Sequence, residues 1–353
     1  MGKIKMGYVG CGFLAQKVHL PNLASLPDVE FAAIAEVREK LGRKVQSRFN
    51  IAKYYPDHRA LANDKDITAV GVSGHQLVQG DIAADLLLAG KCVFMEKPMA
   101  LSVAQAEKIL AAEKKGGGRL MVGYMKRYDL GNELAHDKIQ EFKLNKEFGN
   151  VVYVRNHGFG GNWVAGDDVQ IESTDEPVPQ VPDLSLDWLP EKYNDLYIGY
   201  LQQFTHNVNL IRYLLDAGDN TRVKVVDLNP DGYTGVIILE VNGVRAIIES
   251  GGDSYPAWEE HTQVYFDKGW VKTSSPPLLL RNTSAKVEIF RGGEKPEWDT
   301  PHVGWGWSFK REMEHFIARV KDGKPFRSSG QDTLTDVRIF EEIFKIYIKG
   351  DVK

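Results

Sequence analysis

The sequence predicts a doubly wound parallel α/β sheet, followed by an open, mostly antiparallel β-sheet domain flanked by helices. Three observations carry this. Over the first third of the chain, short and nearly continuous apolar runs alternate with amphipathic helical segments. After Tyr124 the texture changes to β-branched segments separated by hairpin signals. Two amphipathic helices then close the chain. A length of 353 residues fits two domains better than one small core, and the boundary is read as 1–123 and 124–353.

The apolar runs at 4–9, 31–35, 69–72, 92–95 and 120–122 match strands buried on both faces. Helical periods fill 14–25, 37–48, 79–89 and 103–115 between them, which implies right-handed crossovers in an open sheet. Gly116-Gly117-Gly118 stops the fourth of these helices. In the second part, a helix at 129–141 leads to a strand at 151–156. Residues 157–195, with Pro177, Pro179, Pro182 and Pro190, form an irregular stretch long enough to be functional or mobile. Its acidic section (Asp167, Asp168, Glu172, Asp175, Glu176) reads as a solvated surface. A helix at 197–215 precedes strands at 224–227, 234–241, 244–250, 262–266, 269–273 and 285–290, read as an antiparallel meander. Asn242-Gly243 is its strong hairpin signal. Helices at 309–321 and 332–348 finish the pattern.

Composition excludes several classes of function. A net charge of −4 makes no electrostatic case for nucleic acid. Cys11 and Cys92 form no C-x-x-C, which argues against a disulfide framework or structural zinc and suits a reducing, cytoplasmic compartment. The chain runs from Met1 straight into a strand, and no stretch approaches a membrane span. The nine histidines show no metal-ligand spacing, so no metal is expected. There is no P-loop and no Gly-x-Ser-x-Gly elbow.

Three constellations remain. Gly10-x-Gly12-x-x-Ala15 follows a strand and opens a helix. Glycines there allow a tight turn and a close backbone approach to a pyrophosphate, with the helix N-terminus supplying N–H donors. Glu36 ends the second strand at the distance expected of a carboxylate that accepts from ribose hydroxyls and repels a 2′-phosphate. A helix-start carboxylate is the plainer alternative. Arg38 lies close enough to weaken that selection, so NAD is expected and NADP stays open. The second constellation, Glu96-Lys97-Pro98, stands at the carboxyl end of a strand, where ligands of such sheets bind. Pro98 keeps Lys97 out of helical geometry, and a lysine there can donate to a substrate hydroxyl; spacing alone still favours a solvated loop lysine. Third, His206 lies opposite the apolar stripe of its helix, with Gln202 and Asn209 a turn away on either side. That stripe faces water or a cleft, and pattern alone does not choose.

Together these features resemble the glucose–fructose oxidoreductase / inositol dehydrogenase / MocA (Gfo/Idh/MocA) family over essentially the whole chain. The likeness runs through Glu96-Lys97-Pro98 and Gly123-Tyr124-Met125-Lys126-Arg127-Tyr128-Asp129 to Ser308-Phe309, Glu312, His315-Phe316 and Asp322-Gly323-Lys324-Pro325. Glu-Lys-Pro at this distance from a dinucleotide turn is the specific part, and it raises Lys97 above a solvated loop lysine. The resemblance implies an N-terminal Rossmann domain and hydride transfer between NAD(P) and a secondary hydroxyl of a sugar, cyclitol or sugar derivative. His206 would take the hydroxyl proton and Lys97 would stabilise the alkoxide. Expected cofactor contacts are Gly10, Gly12, Phe13, Leu14, Glu36 and Val37, continuing with Arg38, Ser73, Glu96, Lys97 and Arg127. Expected substrate contacts, besides Lys97, Arg127 and His206, are Asn156, His157, Trp163, Tyr197 and Gln202, with Trp258 as a further stacking candidate. Each of the aromatic residues serves equally well as ordinary packing.

Two departures stand out. Gln202 takes the place of the aspartate in the family's Asp-x-x-x-His motif, and Ser73-Gly74-His75 replaces the usual Thr-Pro-Asn. A redox-neutral, NAD-dependent glycosidase and a dinucleotide-binding regulator without chemistry are therefore the alternatives. The resemblance further implies a homodimer or homotetramer.

Overall fold

The computed structural model describes residues 2–252 and 257–351. It divides into two compact units. The first comprises Met1–Tyr124, Asp168–Ser185 and Phe309–Val337; the second comprises Met125–Asp167, Leu186–Ser308 and Arg338–Lys353.

In the first unit, strands β1 (Ile4–Val9), β2 (Val29–Ala35), β3 (Lys53–Tyr55), β4 (Ala69–Val72), β5 (Cys92–Glu96) and β6 (Arg119–Gly123) pair in parallel in the order β3-β2-β1-β4-β5-β6. The strand order reverses between β1 and β4, the switch point where such sheets bind ligands. Runs such as Val70, Val72, Val93 and Met95 are buried because helices cover both faces of a parallel sheet. The expected helix at 14–25 is split. A π-type turn (Ala15–His19) precedes α1 (Leu20–Ser25), with Pro21 at the start of the regular part. The helices α2 (Glu39–Arg48), α3 (His58–Ala62), α4 (Gln76–Leu88) and α5 (Val103–Gly116) follow. Ser102 Oγ accepts from Gln105 N at 3.1 Å to start α5, and Gly117 at φ 73° ends it, as a left-handed C-terminal glycine does. β3 and α3 go beyond the sequence reading. A strand of three half-buried residues and a five-residue helix are too short to show a period. Val122 N donates to Ser328 O at 2.9 Å, which brings the closing segment to the β6 edge.

The second unit holds α6 (Leu130–Asn145), β7 (Val151–Gly160), α7 (Asn194–Leu214), β8 (Thr221–Leu228), β9 (Gly235–Val241), β10 (Val244–Gly252), β11 (Glu259–Phe266), β12 (Gly269–Ser274), β13 (Lys286–Arg291) and β14 (Glu297–Asp299). The sheet order is β14-β13-β12-β11-β7-β10-β9-β8. This corrects the expected meander: β7 enters between β10 and β11 and pairs parallel with β10. Hairpin signals report neighbours along the chain, whereas β7 reaches partners about a hundred residues later, beyond any local pattern. The Asn242-Gly243 hairpin forms, with φ 52° and 78°, the pair of positive values a type I′ turn requires. β7 is also longer than expected and carries His157 into the sheet. Helix α7 packs on β7 and β10, and Gly158 permits it: a Cβ there would meet Asn207 Nδ2 at 2.8 Å.

The last two helices are α8 (Ser308–Asp322) and α9 (Gly330–Asp351). Among the described residues, no helix is long and apolar enough to cross a membrane.

Candidate active site

The first set of candidate residues lies at the carboxyl edge of the parallel sheet. Gly10 takes φ 98°, and a Cβ there would meet Ser73 O at 2.3 Å, so the β1 turn closes tightly on the end of β4. A Cβ on Gly12 would meet nothing within 4 Å, which leaves open space beside the turn. That is the cradle a pyrophosphate needs, with backbone N–H groups at a helix start. Phe13 and Val37 are exposed on either side, while Leu14 and Ser73 are half-buried.

Glu36 follows β2 and is almost wholly buried. Its Oε2 accepts from Cys11 N at 2.8 Å and from Arg38 Nη2 at 3.2 Å. Its Oε1 accepts from Arg38 N at 3.1 Å and Arg38 Nε at 2.9 Å. Two carboxylate oxygens offer four lone-pair sites, and here all four are used. A ribose diol held by Glu36 would therefore take the place of the Arg38 guanidinium. Burial, with the Glu36 charge second, pushes the Cys11 thiol far up, so it is neutral and no nucleophile at neutral pH.

Lys97 is half-buried just after β5, and its peptide bond to Pro98 is cis. Lys97 N donates to Glu96 Oε2 at 3.1 Å. Gln79 Nε2 donates to Glu96 O at 3.0 Å and Pro98 O at 2.8 Å, so α4 holds the loop on both sides of the lysine. Behind it, Glu96 Oε1 lies 2.7 Å from His19 Nε2. Glu312 of α8 joins them, fully buried, with one atom from each of the three groups within 4.8 Å of the others. Tyr8, Phe94 and Phe309 rings enclose His19. Burial, reinforced by the Glu96 charge, raises the Glu312 carboxyl well above its ordinary value, which favours its neutral form. A divalent cation would need Glu312 ionised, and the same burial opposes that. The cluster was missed in the sequence because its members are far apart along the chain and no spacing rule links them.

The second set lies in the other unit. On α7, Gln202 is exposed, whereas His206 is only 6% and Asn209 only 1% exposed. The polar stripe thus runs from a wet end to a buried one, against a purely solvated face. Arg127 Nε donates to Asn209 Oδ1 at 2.6 Å, and Lys126 pairs with Glu260. Asn207 Nδ2 donates to Asn156 Oδ1 at 2.9 Å and to Glu260 Oε1 at 3.2 Å, and Asn156 Nδ2 donates to Thr262 Oγ1 at 2.7 Å. A continuous buried polar network therefore lines the α7 side of β7.

His157, one residue after Asn156, points to the opposite sheet face. There it stacks on Phe159 at 4.6 Å, and its Nδ1 lies 2.6 Å from Glu249 Oε2. One ligand surface can meet Asn156 or His157, not both. Tyr197 is fully buried between Trp188 and Phe344, in ring contact with both, and so packs the core. Trp163 is 40% exposed, and Trp258 Nε1 donates to Ser275 O at 2.9 Å.

A family model described as "Oxidoreductase family, NAD-binding Rossmann fold" (Gfo/Idh/MocA) matches residues 4–124. The inositol 2-dehydrogenase of Pseudomonas fluorescens is 30% identical over 326 residues, 91% of this chain and 87% of that protein. The chain belongs to this oxidoreductase family. The inositol 2-dehydrogenase of Salmonella typhimurium is 35% identical over 131 residues; the match spans 36% of this chain and only 39% of the length of that relative. In fold, the chain is similar to a variant of a 3-ketoreductase from Actinomadura kijaniata, solved in complex with TDP-benzene and NADP. The two superpose with a TM-score of 0.72 over 97% of each chain at 19% identity. The glycine turn and its open space agree with a family whose first domain holds NAD.

Proposed function

We propose that this chain oxidises a secondary hydroxyl of a sugar, cyclitol or sugar derivative, or reduces the matching ketone. One observation carries the proposal: Lys97 is held by Glu96 and Gln79 at the carboxyl edge of the parallel sheet whose β1 turn is open at Gly12. In this reading Gly10, Gly12 and Glu36 hold the dinucleotide, which when bound supplies the two-electron acceptor at its nicotinamide. The Lys97 ammonium donates to the substrate oxygen and stabilises the charge that grows there. His206 accepts the hydroxyl proton. Gln202, being neutral, gives the imidazolium no charge support. Arg127, fixed by Asn209, and the buried Asn156 network keep the α7 side rigid. The domains are taken as 1–123 for the dinucleotide and 124–353 for the substrate, with Asp168–Ser185 and Phe309–Val337 of the second stretch folding into the first unit.

The test is a panel of inositols, sugars and glycosides with NAD and NADP, following absorbance at 340 nm and product together. Cofactor reduction by a polyol supports the proposal. Aglycone release from a chromogenic glycoside without cofactor reduction supports the redox-neutral glycosidase, the reading for which Gln202 and the long loop leave room. No turnover of any substrate, with tight dinucleotide binding, leaves the regulator. The exposed Trp298 and the 79% exposed Trp305 suit a homodimer or homotetramer, which light scattering will distinguish from a monomer. The unpaired cysteines Cys11 and Cys92 suit a cytoplasmic, reducing setting.

A further inference from the structure

We propose that Glu176, on the acidic strap formed by residues 169–176, is a cofactor-specificity residue that closes the start of α2 against a 2′-phosphate, so that the site takes NAD rather than NADP. The inference rests on the reading of Glu36 as the ribose carboxylate.

The strap belongs to the first unit, although more than a hundred residues separate it from the helices it touches. One end lies on the helix that follows the glycine turn. Gln16 Nε2 donates to Glu172 O at 3.1 Å, Glu172 N donates back to Gln16 Oε1 at 2.7 Å, and Lys17 Nζ donates to Val169 O. The other end lies on α2. Lys44 Nζ donates to Ser173 O at 2.9 Å, and Lys40 Nζ pairs with Asp175 Oδ1 at 3.0 Å. Glu176 then accepts from Lys40 N at its Oε1 and from Leu41 N at its Oε2, both at 2.9 Å, while Thr174 Oγ1 donates to Oε2 at 3.0 Å.

Arg38 stands at the N-cap of α2 and supplies no side-chain cap. Glu176 does that work from across the chain. Free N–H groups at a helix start and nearby cations are what attract an anion. In dinucleotide folds a carboxylate after the second strand meets the ribose 2′-hydroxyl, and a nearby arginine accommodates a 2′-phosphate when there is one. Here Lys40 has Asp175, the N–H groups of Lys40 and Leu41 have Glu176, and Arg38 has Glu36 until a ribose takes its place. A phosphate brought to this corner would meet Asp175 and Glu176 on the α2 donors, with Arg38 as the one cation that ribose binding releases. Discrimination through Glu36 alone would leave Lys40 and the helix start available to pull a phosphate in; the strap removes both.

The experiment titrates NADH and NADPH against the full chain by nicotinamide fluorescence, with thermal shift as a second readout that needs no turnover. The wild type should bind NADH about a hundredfold more tightly than NADPH. Glu176→Gln keeps the side-chain shape and should tighten NADPH about tenfold, with NADH changed less than about threefold. Asp175→Asn, on an exposed side chain, should move NADPH the same way by a smaller factor, and it guards against a folding defect in the first variant. Equal wild-type affinity for both cofactors overturns the inference, as does a parallel change of both in the variants. In either case the dinucleotide reading survives, because NADH still binds. A wild type that binds neither cofactor overturns both.

Discussion

Glu36, just past β2, and Glu96, at the end of β5, are both buried carboxylates at the carboxyl edge of one parallel sheet, yet their neighbourhoods oppose one another. Glu36 is met by donors on every lone pair, from Cys11 N and from Arg38. Glu96 is met by an imidazole, one backbone N–H and a second carboxyl, Glu312. The first arrangement favours a fixed negative charge that selects what binds. The second makes protons the currency, because two carboxyls this close and this dry do not both ionise. Position in the sheet is the same for both, and the returning chain makes the difference.

If the β5 end is chemical and the β2 end is for binding, their variants should separate cleanly. Lys97→Ala should lower turnover by about a hundred- to ten-thousand-fold, with NADH affinity changed only slightly. Glu36→Ala should weaken NADH by about ten- to a hundredfold, because charge-assisted hydrogen bonds are lost, yet keep most of the turnover at saturating cofactor. Stopped-flow binding and steady-state rates read both. Variants that lose binding and turnover in equal proportion would erase the distinction between the two strand ends.

Glu312→Gln sharpens the comparison through pH. Below its ordinary pKa, the Glu312 carboxyl is protonated whether the chain is folded or not. As pH rises, the unfolded chain releases that proton while burial makes the folded chain keep it. Stability therefore falls by about 1.4 kcal/mol per pH unit until the raised folded pKa is reached. Glutamine removes this slope, so denaturant melts taken upward from about pH 5 should show the variant gaining on the wild type until the raised folded pKa is passed. Parallel stability curves would show that Glu312 is not held neutral. The smallest effect belongs to Gln202→Asp. A carboxylate one turn before His206 supports the imidazolium and should move the acidic limb of the pH–rate profile upward by less than about one unit, because the position is exposed and screened. An unmoved profile would separate Gln202 from the proton-accepting step.

Much of the binding half was legible in advance. The strand-and-helix alternation, the Gly10 turn and Glu36 after β2 are local facts of spacing, and the family resemblance singled out Lys97 after β5; Gly10, Glu36 and Lys97 stand at the carboxyl edge of the sheet. The α7 stripe was only half legible. Its period placed Gln202, His206 and Asn209 on one side but did not show that the stripe goes from exposed to buried along its length. The acidic stretch read as solvated surface is tied down at Gln16, Lys40, Leu41 and Lys44, because charge composition records hydrophilicity and not partners.

The sequence by itself determined the fold class, the dinucleotide turn, the Asn242-Gly243 hairpin and the lysine after β5. Each depends on backbone dihedrals and apolar periods that adjacent residues set. Only the tertiary structure decided that β7 enters between β10 and β11, that Glu312 joins His19 and Glu96, and that Glu176 caps α2. Those three depend on where a distant segment returns, and that is settled by burial and hydrogen-bond satisfaction over the whole chain.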